Sequence, residues 1–294
     1  LLILRYSFGW HRIKRTSNKT FFPKVSVVID IRNEENNVSN LISSLNSQIY
    51  PIDKLEFILV DDHSTDNTRF LLEKSSLSNL KILHLPPLES GKKQAINMAV
   101  SIASGEIILS SDADCILNPN WASTMVSYFS DNKLNLVSGP VFFNTEAGVG
   151  QNFLALEFAS LIGSGAGAIG VNNAIFCNGA NMAYRKKVFL ELNSLKDDTV
   201  VSGDDVFLLH SIKAKYPNSI VFSKNKESVV FTNSVKSFNE FINQRKRWVS
   251  KSSSYKDTAS IYVSYLVFAT NFLLVFLFFR LIFDPLLLNS FLGF

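Results

Sequence analysis

Compact apolar runs alternate with segments of helical spacing in the first part of the chain. The apolar runs predict four strands, at residues 25–29, 57–60, 81–85 and 106–110. Apolar positions recurring every three or four residues predict helices at residues 35–48, around 70–72 and at 92–104. This order predicts an α/β fold with a mostly parallel, doubly wound sheet. Such sheets bind ligands at the carboxyl ends of their strands, where this sequence places its polar turns.

The second half of the chain is less regular. Residues 137–143 predict one further strand, and the apolar, Gly-rich residues 152–169 predict a helix. Its glycines and Glu157 argue against a membrane span, so we expect a core helix or, alternatively, a helix on a membrane surface. Residues 258–279 carry no charge and have the length and composition of a transmembrane helix.

The distribution of charge predicts an orientation relative to a membrane. A net charge of +4 is too small to indicate a nucleic-acid partner, but basic residues cluster after residue 10 and before residue 258. Lys and Arg beside membrane segments tend to stay in the cytoplasm, so the middle of the chain is predicted to be cytoplasmic. An ordinary solvated basic surface is the alternative. Because the sequence begins and ends in apolar runs, we expect further membrane segments beyond it.

Asp112-Ala113-Asp114 directly follows the fourth predicted strand. In an extended segment, residues two positions apart point to the same side, so the two carboxylates can hold one divalent cation. Oxygen ligands suit Mg²⁺ or Mn²⁺, which can bridge two phosphates and neutralise a departing diphosphate. Such a tripeptide is more often a solvated loop, but its position at a strand end favours the metal site.

Asp61-Asp62 and Gly91-Lys92 predict the rest of a nucleotide site. A carboxylate at a strand end can accept a hydrogen bond from a uracil N–H or a ribose hydroxyl, while capping the next helix is the alternative role. A Lys that follows a Gly at a helix start can meet a phosphate together with the helix dipole. An exposed lysine without a ligand is the alternative there.

Two further groups indicate an acceptor side. Gly203-Asp204-Asp205 precedes an apolar helix and can supply a general base, or simply cap that helix. The segment from Gln244 to Trp248 offers an aromatic ring that can stack on a sugar and arginines that can contact a diphosphate. A basic-aromatic membrane anchor is the alternative.

Taken in order, these motifs resemble those of family 2 glycosyltransferases, and in the second half those of the membrane-bound branch that includes cellulose and hyaluronan synthases. The resemblance covers about residues 24–282. It implies a GT-A fold, which is Rossmann-like with a mostly parallel sheet and flanking helices, followed by one or more C-terminal transmembrane helices. It is carried by Val25–Ile29, Arg32-Asn33-Glu34-Glu35, Val60–Asp66, Gly91-Lys92, Asp112-Ala113-Asp114, Asn178–Arg185, Asp204-Asp205 and Gln244…Arg247-Trp248.

The resemblance also implies a role for each matching residue. Asp205 corresponds to the catalytic base, and Asp114 and Asp112 correspond to the metal ligands. The nucleotide-sugar site corresponds to Asp62, Lys92, Asp112 and Glu34, and the acceptor or diphosphate site to Gln244, Arg247 and Trp248. Two positions depart from the family: Asp30 stands where Pro is frequent, which bears on the nucleotide site, and Asp204 conservatively replaces Glu.

The sequence therefore predicts an inverting transferase that uses Mg²⁺ or Mn²⁺ and moves a sugar from a UDP-sugar, or alternatively a GDP-sugar. The acceptor is predicted to be a saccharide or a lipid-linked molecule at the membrane. The predicted layout is a membrane segment and basic linker at 1–20, a catalytic domain at 24–256 and a transmembrane region at 258–294. Two alternatives are a non-catalytic membrane protein that binds a nucleotide sugar and a nucleotidyltransferase. The complete set of carboxylates argues against the first, and the lack of glycine after the first strand argues against the second.

Overall fold

The computed structural model describes residues 1–14, 20–144, 148–193, 204–235, 237–252 and 254–283. The chain divides into two compact units, residues 1–244 and residues 245–294. Gly203 of the predicted base motif, and the predicted transmembrane residues after 283, lie outside the described residues.

Strands and helices alternate through the first unit. Its helices are α1 (Leu2–Arg12), α2 (Val38–Asn46), α3 (Thr68–Glu73), α4 (Lys92–Ile102), α5 (Trp121–Ser127), α6 (Val149–Gly170), α7 (Lys186–Asn193) and α8 (Asp204–Lys215). Its strands are β1 (Val25–Ile31), β2 (Leu55–Asp61), β3 (Leu80–His84), β4 (Ile107–Asp112), β5 (Ile116–Leu117), β6 (Leu136–Ser138), β7 (Val141–Asn144), β8 (Met182–Arg185), β9 (Ile220–Phe222) and β10 (Val230–Asn233). Helix α9 (Phe238–Ser252) begins in this unit, and α10 (Thr258–Phe283) belongs to the second.

Seven strands form the central sheet, in the order β3-β2-β1-β4-β8-β6-β9. Strand β8 is antiparallel to its two neighbours, and the other neighbouring pairs are parallel. Every residue of β2 is buried, as is all of β1 except the half-buried Asp30. Parallel strands covered by helices on both faces are buried in this continuous way, which favours mostly apolar residues. The predicted α/β class with a mostly parallel sheet is confirmed.

The single strand predicted at residues 137–143 is wrong, because this segment contributes to two sheets. Strand β6 lies in the central sheet, whereas β7 lies in a second sheet of order β5-β10-β7. Gly139 and Pro140 separate the two strands. The N–H of Gly139 bonds the carbonyl of Asn181 over 2.8 Å, and Pro140 has no N–H for a ladder. The apolar pattern runs unbroken through this change of sheet, so periodicity alone does not reveal it.

Helix α6 has a buried half and an exposed half. Gly165–Ile169 are buried, whereas Phe153 and Leu156 near the helix start are exposed. Helix α1 packs on the buried half at backbone distance, because a Cβ on Gly9 would lie 2.0 Å from the carbonyl oxygen of Gly167. Only glycine permits this approach.

Two described helices are long and apolar enough to cross a membrane. They are α6 and residues Thr258–Arg280 of α10. In α6, 39% of the apolar window is buried within the protein, whereas none of the α10 window is. A window without buried residues, as in α10, is what a lipid-facing helix requires, and the burial in α6 is typical of a core helix.

Candidate active site

The carboxyl ends of β1, β2 and β4 bring three aspartates to one edge of the central sheet. Asp30 in β1 lies opposite Val60 in β2 and opposite Asp112 in β4. Asp62 directly follows β2. Neighbouring parallel strands end at the same edge, so Asp62 and Asp112 lie at one edge of the sheet, where such folds bind ligands.

Two loops at this edge of the sheet hold each other in place. Asn33 adopts a left-handed conformation with φ of 54°. Its N–H donates to Ser64 Oγ over 3.0 Å, and its side-chain oxygen accepts from the N–H of Thr65 over 2.8 Å. The side chain of Glu35 in turn accepts from the N–H of Asn67 over 3.0 Å. This exchange of side-chain and backbone bonds fixes the loop after β1 against the loop after β2.

Asp62 is buried and accepts hydrogen bonds from both sides. The N–H of Gly91 donates to Oδ2 over 2.9 Å, Arg32 lies 3.4 Å from the same oxygen, and His63 Nδ1 lies 3.0 Å from Oδ1. Burial raises the pKa of Asp62, but His63, Gly91 and Arg32 outweigh it, so the pKa is below its ordinary value. Asp62 is therefore an anion whose carboxylate is held by three neighbouring groups.

Lys92 begins helix α4 and carries the central positive charge of the site. Gly91 before it has φ of 93°, a conformation that favours glycine, and no atom within 4 Å of a Cβ there. The ammonium group of Lys92 forms an ion pair with Asp112. Burial lowers the pKa of Lys92, but Asp112, Asp205 and Asp30 raise it well above its ordinary value. Lys92 thus stays charged beside three carboxylates.

Asp114 lies two residues beyond β4 and meets a residue from another sheet. Its Oδ2 accepts a hydrogen bond from Thr232 Oγ1 in β10 over 2.7 Å. Burial, together with the negative charge of Asp112, raises the pKa of Asp114 despite the bond from Thr232. A carboxylate whose pKa is raised by burial and by a neighbouring carboxylate is stabilised by a cation.

The donor set at Asp112 and Asp114 fits Mg²⁺ or Mn²⁺. Both side chains offer hard oxygen ligands, which these ions prefer. Across the described residues, no group of three or more His, Cys, Asp or Glu side chains is placed to hold a metal. Two protein carboxylates suit an ion whose other ligands are substrate phosphates and water.

Glu34 lies in the loop after β1, near the same carboxylates. Its side chain accepts from Asn37 Nδ2 over 2.6 Å, and its N–H donates to Thr68 Oγ1 over 2.7 Å. Burial raises its pKa, and the charges of Asp114 and Asp112 raise it further. Glu34 therefore belongs to the acidic cluster, with its loop fixed by Thr68.

Asp205 lies in the first turn of α8, and its carboxylate lies near Gly179 and Lys92. Its Oδ2 accepts from the N–H of Gly179 over 3.0 Å, and its Oδ1 accepts from the N–H of Val206 over 2.9 Å. A Cβ placed on Gly179 would lie 3.2 Å from Asp205 Oδ2 and 3.3 Å from Lys92 Nζ. Asp205 thus serves partly as a helix cap, and it also lies close to the Lys92 ammonium.

The predicted acceptor motif lies at the boundary of the two units. Gln244 is the last residue of the first unit, and Arg247 and Trp248 belong to the second. Within the second unit, Arg245 Cζ lies 4.4 Å from the ring centroid of Trp248. The roles proposed for Gln244, Arg247 and Trp248 toward an acceptor stay predictions.

Thr232 and Gly179 take part in the site although the sequence assigned them no role. Thr232 is 118 residues from its partner Asp114, so no local pattern connects them. Gly179 lies within the run Asn178–Arg185, which carries the family resemblance, and this run was the available signal.

The family model Glycosyl transferase family 2 matches residues 26–192. Glycosyltransferase AglE of Haloferax volcanii is 34% identical over 123 residues, which cover 41% of this chain and 40% of AglE. The chain thus spans less than half the length of this curated relative.

Two solved structures show the same fold. Mannosyltransferase PcManGT from Pyrobaculum calidifontis, in complex with GDP-Man and Mn²⁺, has a TM-score of 0.65 at 20% identity, covering 83% of this chain and 68% of that chain. S. aureus TarS 1–349 in complex with UDP-GlcNAc has a TM-score of 0.54 at 22% identity, covering 73% of this chain and 59% of that chain. The predicted GT-A fold is confirmed.

Proposed function

The chain belongs to glycosyl transferase family 2, and we propose that it transfers a sugar from a nucleotide diphosphate sugar to an acceptor hydroxyl. One observation carries the proposal: the ammonium group of Lys92 lies beside both Asp112 and Asp205, at the carboxyl edge of the central sheet. A transferase of this kind needs a cation for the diphosphate and a base for the acceptor, and this cluster contains candidates for both. The family membership sets aside the nucleotidyltransferase alternative.

Asp62 is the residue proposed to recognise the base. Its carboxylate is ionised and already oriented by Gly91 and His63. A carboxylate accepts from the N–H that uracil presents between its two carbonyls, and equally from the N–H edge of guanine. The proposed donor is a UDP-sugar, because TarS binds UDP-GlcNAc in a fold of this type. A GDP-sugar is the second candidate, because PcManGT binds GDP-Man.

Lys92, Asp112 and Asp114 are proposed to receive the diphosphate. Lys92 lies at the start of α4, where the helix dipole adds to its charge. Asp112 and Asp114 would hold Mg²⁺ or Mn²⁺. When bound, this ion would neutralise the charge that develops on the departing diphosphate. Thr232 orients the Asp114 carboxylate through its hydroxyl. PcManGT with bound Mn²⁺ supports this assignment.

Asp205 is proposed to remove the proton from the acceptor hydroxyl. The acceptor oxygen then forms a bond to the anomeric carbon while the bond from that carbon to the diphosphate breaks. Attack from the side opposite the leaving group inverts the anomeric centre. Asp205 suits this role because backbone N–H groups of Gly179 and Val206 hold its carboxylate in one orientation.

The proposed place of the reaction is the cytoplasmic face of a membrane. The support is α10, whose apolar window within residues Thr258–Arg280 contains no buried residue, and the basic residues Arg245, Lys246 and Arg247 that precede it. The proposed acceptor is a saccharide or a lipid-linked molecule that the membrane holds near the catalytic unit.

The test uses the full chain purified in detergent and incubated with UDP- and GDP-sugars plus membrane extract. Mass spectrometry identifies glycosylated products, and release of UDP or GDP gives the rate. We expect transfer that requires Mn²⁺ or Mg²⁺ and is lost in Asp114→Asn, while the exposed control Asp53→Asn behaves as wild type. Activity that survives both EDTA and Asp114→Asn contradicts the metal assignment. UDP binding without turnover of any donor favours the non-catalytic alternative.

A further inference from the structure

Asn181 is a buried amide where several segments of the catalytic unit meet. Its Oδ1 accepts a hydrogen bond from Trp121 Nε1 over 2.9 Å. Its Nδ2 donates to the carbonyls of Pro140 and Ser228 over 2.8 and 2.7 Å. Both amide hydrogens are therefore used, and each holds a different segment. A satisfied buried network of this kind fixes the backbone that carries it.

Asn181 also ends a tight turn that begins at Asn178. The N–H of Asn181 donates to the carbonyl of Asn178 over 3.0 Å, and the N–H of Ala180 donates to Asn178 Oδ1 over 3.0 Å. Ser111 Oγ in β4 donates to the carbonyl of Ala180 over 2.9 Å. The turn is therefore attached to the strand that ends at Asp112.

Gly179, inside this turn, connects it to Asp205. The N–H of Gly179, which belongs to the turn, donates a hydrogen bond to Asp205 Oδ2 over 3.0 Å. The turn approaches so closely that a Cβ on Gly179 would lie 3.2 Å from Asp205 Oδ2 and 3.3 Å from Lys92 Nζ. The position of the turn thus sets the position of the Asp205 carboxylate relative to Lys92.

We propose that Asn181 is a positioning residue for the transfer reaction and that it orients Asp205 through the N–H of Gly179. The inference rests on the proposed role of Asp205 as the base. A displaced turn moves the Asp205 carboxylate but leaves Asp62, which is held by Gly91, at the nucleotide end of the site. The rate of transfer is therefore sensitive to Asn181, whereas nucleotide binding is not.

The first variant is Asn181→Asp, made in the full chain. It preserves the side-chain size and the acceptor for Trp121, but it replaces the NH₂ group by an oxygen that cannot donate to both Pro140 and Ser228. A displacement of about 1 Å costs about 100-fold in rate, so we expect kcat to fall 10- to 100-fold while the donor KM changes less than about threefold. A kcat within twofold of wild type overturns the proposal, and so does a parallel loss of nucleotide affinity.

A matched control separates positioning from loss of stability. Ser26→Ala removes a buried hydrogen bond to Glu56 at the amino edge of the same sheet, away from the site. We expect it to lower the unfolding midpoint as Asn181→Asp does, and to leave kcat unchanged. If Ser26→Ala lowers kcat as far as Asn181→Asp at equal stability, the effect is general destabilisation and the proposal fails.

A double-mutant cycle tests whether Asn181 acts through Asp205. We expect Asn181→Asp to slow the Asp205→Asn enzyme less than about twofold, because the group it orients is already lost. Losses that multiply overturn the proposal. If Asn181→Asp does not fold, Trp121→Phe is the variant to test, because it removes the hydrogen bond to Asn181 Oδ1. We expect its kcat to fall. An unchanged kcat overturns the proposal.

The same cycle distinguishes this inference from the proposed function. Full transfer by Asp205→Asn contradicts the assignment of the base and, with it, this inference. An inactive Asp205→Asn enzyme together with a fully active Asn181→Asp enzyme contradicts the role of Asn181 alone.

Discussion

The ammonium group of Lys92 is paired with the carboxylate of Asp112 across the carboxyl ends of the central sheet. Asp112 is the last residue of β4, and Lys92 is the first residue of α4, after a glycine with positive φ. Asp205 raises the pKa of Lys92 from the other side. One lysine therefore links the strand that ends at Asp112 to the helix that carries the proposed base.

Lys92→Met removes the charge proposed to meet the diphosphate and leaves Asp112 and Asp205 without their shared cation. A hydrogen bond to a charged group is worth about 1.5–3 kcal/mol, so UDP binding should weaken about 10- to 100-fold in calorimetry. The exposed control Lys133→Met should bind UDP as wild type. Unchanged UDP affinity in Lys92→Met would show that this lysine does not contact the diphosphate.

Asp62 is predicted to read the base rather than the phosphates. In Asp62→Asn, an amide N–H would replace an acceptor and face the Gly91 N–H or Arg32. The binding of UDP should weaken about tenfold, which is about one lost hydrogen bond to a charged group. The binding of inorganic diphosphate should be unchanged. Equal losses for both ligands would instead indicate a general distortion of the site.

Thr232 is predicted to set the metal requirement. Thr232→Val keeps the shape of the side chain but removes the hydroxyl that donates to Asp114. Loss of a hydrogen bond that orients a metal ligand costs about 10- to 100-fold in metal affinity, so the half-saturating Mn²⁺ concentration should rise by that factor. Thr232→Ser, which keeps the hydroxyl, should restore the wild-type value. If Val and Ser variants need the same Mn²⁺ concentration, the hydroxyl has no such role.

Glu56 at the amino edge of the sheet is predicted to stabilise the fold in a pH-dependent way. Burial raises its pKa, but bonds from Lys81, Ser26 and Ser104 outweigh it and lower the pKa to about 2. Its stabilising effect is therefore complete above the unfolded pKa of about 4.3 and is lost as the pH falls toward 2. Glu56→Gln should cost about 2–3 kcal/mol of unfolding free energy at pH 7.

Urea unfolding of wild type and Glu56→Gln at pH 7 and pH 3 measures this effect. The difference between the two proteins should shrink by about half at pH 3, because the unfolded Glu56 is then largely protonated. A difference that does not depend on pH would show that the ionised carboxylate is not the stabilising form.

The sequence predicted the sheet edge well because buried parallel strands leave a clear pattern. Strands β1, β2 and β4 are mostly apolar runs, and β2 and β4 end at acidic residues, so both the fold class and the location of Asp62 and Asp112 could be predicted. The family resemblance is confirmed by the match over residues 26–192. The predicted enzyme class, glycosyltransferase, is confirmed at the level of that family.

Long-range contacts could not be predicted in the same way. Thr232 reaches Asp114 from a strand of another sheet, and Asn181 holds a turn through carbonyls that any residue type can offer. The change of sheet at Gly139 and Pro140 was missed because apolar residues continue on both sides. These features depend on how distant segments pack, which local spacing does not record.

The rate of transfer by Asp205→Asn tests the account most directly. The substitution keeps the side-chain size but removes the group proposed to take the acceptor proton, and UDP binding, measured in parallel, reports whether the site is intact. Loss of a general base costs about 10²- to 10⁴-fold, so transfer should fall by that factor while UDP affinity stays within about twofold. Transfer at near the wild-type rate would contradict the assignment of Asp205 as the base.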